Sequence, residues 1–153
     1  MRKLLTAFLA IAALCGVTVT AGAQAAHTPE QAKAFVEKAV AYYNSEGRAK
    51  ALEAFSDPKG AWVDGDLYIV VHATDPQLTM VAHINKGLVG KPQIDTKDAE
   101  GRLFNQDVLA GLAKGDSVWV SYKWVNPATK KIAVKKSYFV KVDDIIIAAG
   151  VYE

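Results

Sequence analysis

The residue pattern with the clearest chemical content is a lysine inside a strand-like run. From Ile132 to Val142 the even positions read Ile132, Val134, Lys136, Tyr138, Val140 and Val142. Alternate residues of a strand share a face. Lys136 therefore falls on an otherwise apolar face, while Ala133, Lys135, Ser137, Phe139 and Lys141 form a mixed face expected to look outward. An ammonium on a core-facing position is costly unless an anion or polar group meets it. That anion is either a protein carboxylate or a bound ligand. A point charge on a flexible stem suits a small anion.

Other residues extend this reading. Tyr68, Trp119, Tyr122, Trp124 and Tyr138 fall on predicted strands. Tyrosine hydroxyls on a concave, mostly apolar surface orient ligands. Tyr138, two residues beyond Lys136 on the same face, is the best placed, whereas Trp124 reads as core. His83, at the end of a strand, is positioned to donate to a carboxylate; His27 and His72 receive no role. Asp95, Asp98, Glu100 and Asp107 are dense but miss the spacing of a calcium loop, and the three histidines are scattered. Neither a glycine-rich phosphate loop nor a Gly-x-Ser-x-Gly elbow occurs. No catalytic residue, metal or cofactor is therefore assigned, and the expectation is a protein that is not an enzyme.

The start of the chain reads as an address. Arg2 and Lys3 precede an apolar stretch from Leu4 to Val19, and Ala21-Gly22-Ala23 and Ala23-Gln24-Ala25 fit the small-x-small cleavage pattern. Residues 1–25 are expected to be a cleaved signal peptide and residues 26–153 a single domain. Cys15, the only cysteine, lies in the leader after Leu14, which argues against lipidation. The mature domain then has no disulfide, thiolate metal site or cysteine nucleophile, which fits a periplasmic or secreted location. Without Arg2 and Lys3 the 18 basic residues become 16, equal to the 16 acidic ones. That balance argues against nucleic acid as a partner.

The elements that must position these residues are legible as periods. Thr28-Pro29-Glu30-Gln31 is a capping signature, followed by Ala32, Phe35, Val36, Ala39, Val40 and Tyr43 at helical spacing, with Gly47 as a stop. A short helix is predicted over Arg48–Phe55 and a turn over Asp57–Gly60. A hairpin follows, from Asp66–Ala73 and Gln77–Ile84 around Asp75-Pro76. Residues 85–102 form a long connection, of the kind that often carries function. A helix over Leu103–Lys114 is expected to be capped by Gly115. Three strands close the chain, at Ser117–Val125, Lys131–Val142 and Ile145–Tyr152. The fold class is α+β, an N-terminal helix on a five-stranded antiparallel sheet.

The ordered series Gly65-Asp66-Leu67-Tyr68, Val81-Ala82-His83-Ile84, Leu88-Val89-Gly90-Lys91, Lys97 to Phe104, Gly115 to Trp124, Asn126-Pro127, Lys135 to Val140 and Ala149-Gly150-Val151-Tyr152 resembles the single Cache domains. These are PAS-like extracytoplasmic sensor modules of chemoreceptors and histidine kinases, here of the second single-Cache type. The resemblance implies a long N-terminal helix on a five-stranded antiparallel sheet. It also implies a pocket under the central connection that takes small organic ligands, often short carboxylates. It places Tyr68, His83, Phe104, Tyr122, Lys136 and Tyr138 near that pocket, with Trp119 a weaker candidate because alternation sets it opposite Tyr122. Asp75-Pro76 departs from the usual Asp-Gly turn. With a cleaved leader and an end at Glu153, signalling would need a separate membrane receptor or kinase.

The expected function is thus periplasmic binding or sensing of a small organic anion, with Lys136 meeting its carboxylate. The alternative is a ligand-free interaction or dimerisation module, in which the lysine pairs with an internal Asp or Glu and a homodimer forms through the helix. A small NTF2-like enzyme is a third reading. It would need an acid on an apolar strand face, which the sequence does not offer.

Overall fold

The structure, a computed structural model, describes residues 27–153; the expected leader and Cys15 lie outside the described residues. Helix α1 runs over Pro29–Glu46. The Thr28 hydroxyl accepts from the Gln31 amide at 3.3 Å, and the Gln31 side chain accepts from the Thr28 amide at 2.7 Å. This reciprocal pair satisfies two amides that the helix itself leaves open. Gly47, at φ 81°, ends α1 and admits the sharp turn into α2, Arg48–Phe55. Ala32, Val36, Ala39 and Tyr43 form the buried stripe of α1.

Seven strands follow: β1 Val63–Asp64, β2 Leu67–Tyr68, β3 Val70–Ala73, β4 Met80–Ala82, β5 Ser117–Val125, β6 Ile132–Val142 and β7 Ile145–Tyr152. The strand expected over 66–73 is divided because it changes partners. Leu67 and Tyr68 pair back on β1, whereas Val70–Ala73 join β7. The second strand of that hairpin is shorter than expected. The Asp75 carboxylate accepts from the amides of Gln77 and Thr79, which holds residues 75–79 as a turn until Met80. The main sheet is five-stranded and antiparallel, in the order β4-β3-β7-β6-β5. The third helix, α3, spans Phe104–Leu112 and closes on Ala113, so Gly115 is not its cap.

Both faces of the sheet are covered. Helix α1 packs with Trp62, Ile145, Ile147, Ala149, Val151 and Tyr138 on one face. On the other, Phe104 and Val108 of α3 meet Val120, Phe139, Ile146 and Ala148. Residues 85–102 form a strap across this second face, tied at both edges of the sheet. At β4, Met80 N donates to Lys91 O and Gly90 N donates to Met80 O. At β5, Ala99 N donates to Lys123 O, and Lys123 N donates to the Asp98 carboxylate. The strap therefore occupies backbone groups that an edge strand leaves open and roofs the space beneath it.

Candidate functional site

Strand β6 has two buried faces, and this decides where its lysines go. Tyr122, Lys135 and Tyr152 are cross-strand neighbours, and so are Ser121, Lys136 and Val151. Lys135 belongs with Ser137 and Phe139 on the face under the strap. It is 3 % exposed. Lys136 belongs to the helix-covered face, half-buried, with Nζ 5.5 Å from the Trp119 ring. Tyr138 and Trp119 are on that face too, rings 4.9 Å apart, with Lys33 of α1 above Tyr138. The expected alignment of Lys136 and Tyr138 with a pocket is thus corrected. Their apolar face is the seat of α1, and the mixed face is the one that borders a cavity.

That cavity, of about 60 Å³, is bounded by Tyr68, His72, His83, Phe104, Asn105, Tyr122, Lys135 and Ser137, with Leu88, Gln93 and Thr96 from the strap and Ala148–Gly150 from β7. Four of the expected residues, Tyr68, His83, Phe104 and Tyr122, meet here; Lys136, Tyr138 and Trp119 do not. Trp124, read as core, also reaches its wall. Lys135, Ser137, Asn105 and Gly150 were not singled out from the sequence. For Lys135 a signal existed, since pairing β5 with β6 around Asn126–Lys131 sets Tyr122 beside Lys135 and makes Tyr122 and Lys136 incompatible on one face.

The Lys135 ammonium is held by phenols. Nζ donates to the Tyr68 hydroxyl at 3.1 Å. It also lies 4.3 Å from the Tyr68 ring centre and 4.9 Å from that of Tyr152, both favourable cation–π placements. Among the described residues no carboxylate comes within ion-pair reach of it. Burial works to strip its proton; the Coulombic pull of Tyr122, Tyr68 and Tyr152, which raises the pKa, acts once those phenols ionise, and with the phenols neutral the ammonium is favoured by the Tyr68 hydrogen bond and the two ring faces. Burial raises the Tyr122 and Tyr152 phenols in turn, so both are neutral at pH 7. The cavity therefore contains a cation stabilised by dipoles, with no carboxylate of the described residues beside it.

His83 stands beside this charge. Its Nδ1 accepts from the Asn85 amide at 2.8 Å, so in the neutral ring the proton sits on Nε2. Burial first, then the nearby Lys135 charge, lowers its pKa to about 4. His72, fully buried, is likewise lowered to about 4 by burial and by His83. Both are neutral near pH 7, and His83 is a donor through Nε2.

The rest of the wall is preorganised. Tyr122 stacks on Phe104, ring centres 4.0 Å apart, and its hydroxyl lies 3.0 Å from Ser137 Oγ. Ser137 Oγ uses space that only glycine leaves, because a Cβ on Gly150 would lie 2.0 Å from it. Asp98, one of the acidic residues weighed for metal, instead accepts from the amides of Glu100, Arg102 and Lys123 and anchors the strap. Among the described residues no cluster of three His, Cys, Asp or Glu is arranged to hold a metal. No helix among them is long and apolar enough to cross a membrane.

Comparison with solved structures finds the same architecture in sensor domains. A methyl-accepting chemotaxis protein from Vibrio parahaemolyticus RIMD 2210633 superposes with a TM-score of 0.67 at 21% identity, covering 80% of this chain and 86% of that one. A periplasmic sensor domain of a chemotaxis protein gives 0.61 at 26% identity over 80% and 88%. A Cache chemosensory domain described for carboxylic acid recognition gives 0.58 at 20% identity over 80% and 86%. No curated protein matches the sequence. The family model for single Cache domain 2 matches residues 23–153, which takes in every element of the fold from α1 to β7. The chain belongs to the single Cache domain 2 family.

Proposed function

We propose that this Cache domain binds a short carboxylate in the cavity under the strap and works in the periplasm, after removal of residues 1–25, with a separate membrane receptor or kinase. The observation that carries the reading is Lys135, a buried ammonium on a cavity wall with no carboxylate of the described residues to meet it. A bound carboxylate supplies the missing anion and strengthens the electrostatics of a site already shielded from water. Tyr68 and His83 stand beside the ammonium, the second offering an Nε2 proton. Phe104, Tyr122 and Ala148 limit the apolar remainder. A cavity of about 60 Å³ has room for roughly four to six water-sized positions, which matches the non-hydrogen atoms of an acid of about two to four carbons. The solved Cache domain described for carboxylic acid recognition supports the same ligand class.

The ligand-free alternative would be favoured by a filled pocket and by Lys136 paired with an internal acid; among the described residues no ion pair reaches Lys136, and the cavity beside Lys135 is open. Calorimetry with acetate, propionate and butyrate tests the proposal. Saturable one-to-one binding by at least one of them is expected, and a flat titration with all three refutes it.

A further inference from the structure

Resting on the carboxylate reading, we infer that Asn105 reads a hydroxyl group, and that the ligand is a short hydroxy acid rather than a plain fatty acid or an amino acid. Asn105 lies in the first turn of α3, 2 % exposed, on the cavity wall. Its amide orientation is fixed, because Nδ2 donates to Gln93 O at 2.7 Å and a carbonyl only accepts. Oδ1 is therefore the acceptor end. No donor from the described residues reaches it, and no sealed side-chain polar atom among them lacks a partner, so Oδ1 is accessible, on a residue that lines the cavity.

The neighbouring groups point the same way. Thr96 spends its only proton on Gln93 Oε1 at 3.2 Å, and Gln93 Nε2 commits one of its two protons to Lys91 O at 3.2 Å. This end of the cavity thus offers the acceptors Asn105 Oδ1 and the Thr96 lone pairs beside the second amide protons of Asn105 and Gln93, a mixed set that a hydroxyl, donor and acceptor at once, can meet, while Lys135 and His83 offer donors at the other end. A carboxylate placed on Lys135 leaves the acceptors unmet unless the ligand carries its own donor. A buried acceptor left unmet weakens binding, which makes sites of this kind discriminate against analogues lacking the donor. An ammonium is the wrong donor. The lining contains no Asp or Glu to balance it, and Lys135 repels it. A neutral hydroxyl meets both conditions.

The test is calorimetry on the wild-type domain with propionate, lactate, 2-fluoropropionate and alanine. Fluorine approximates the hydroxyl in size but cannot donate. Lactate is expected to bind about five- to tenfold more tightly than propionate, 2-fluoropropionate no better than propionate, and alanine not at all. In Asn105→Ala the ratio of lactate to propionate affinity should fall to about one, whatever either affinity becomes. Equal affinity for lactate and propionate, an equal gain from fluorine, or a preference that survives in Asn105→Ala overturns the role of Asn105 and leaves the carboxylate reading standing. Binding of none of the acids overturns both. The wild-type comparison decides the matter even if Asn105→Ala fails to fold.

Discussion

Lys135 Nζ donates to the Tyr68 hydroxyl across 3.1 Å, joining two residues 67 positions apart in the chain. Tyr68 belongs to the small β1–β2 pair and Lys135 to the centre of β6, so the contact fastens the outer hairpin to the main sheet. It also gives a buried ammonium a neutral partner, which leaves its charge available to a ligand. Tyr68→Phe removes that oxygen and nothing of the ring. The variant should be less stable by about 1–3 kcal/mol in denaturant unfolding. Unchanged stability would mean that the hydroxyl does not support the ammonium.

Gly150 sets a steric limit on the site. A Cβ there would meet Ser137 Oγ at 2.0 Å and the Lys136 carbonyl oxygen at 2.9 Å. Gly150→Ala should destabilise the domain by about 1–3 kcal/mol, the usual cost of forcing a methyl into a packed strand pair, and weaken acid binding through displaced Ser137 and Tyr122. A thermal melt and one titration check both effects. A variant with wild-type values would show that the β6–β7 pair yields easily.

The two lowered histidines predict acid sensitivity. Each has a folded pKa of about 4 against an ordinary 6.5, so between these values the unfolded chain binds protons that the folded chain refuses. Stability from this source is complete above pH 6.5 and is lost as pH falls toward 4. For His72 the loss at pH 5 is about 2 kcal/mol. Urea unfolding at pH 7 and pH 5 should show it, and His72→Gln should reduce the difference while leaving the part that His83 contributes. A wild-type domain as stable at pH 5 as at pH 7 contradicts the burial of both imidazoles as neutral rings.

Asp98 ties the strap to β5 through the amides of Glu100, Arg102 and Lys123, and these bonds hold its carboxyl below the usual range. Asp98→Ala should speed amide hydrogen exchange at residues 99–102 and weaken acid binding, with the helices unaffected. Exchange that stays slow in the variant would assign the anchoring to other strap contacts, such as Ala99 N to Lys123 O.

The fold was legible where one period governed one face. The Thr28 capping box, the stripe of α1, α2 and the last three strands all lie close to the expected ranges. Leu67–Ala73 was harder, because the run exchanges one strand partner for another at Ile69, and no local pattern marks the exchange. The site was half legible. Tyr68, His83, Phe104 and Tyr122 share the cavity because they flank the strap or stand on its face. Lys136 does lie on the apolar face, but the cavity borders the other one, for a physical reason. Alternation identifies the apolar side of a strand, but β6 is covered on both sides, and its apolar side is the one that seats α1. Cross-strand register, a pairwise property, separates Lys135 from Lys136.

Calorimetric titration of Lys135→Met and Lys136→Met with the tightest short carboxylate tests the central claim most directly. Methionine keeps the stem and removes the charge. Binding should be lost in Lys135→Met. Lys136→Met should bind as the wild type does. Retained affinity in Lys135→Met, or its loss in Lys136→Met alone, would contradict the assignment of Lys135 as the carboxylate anchor.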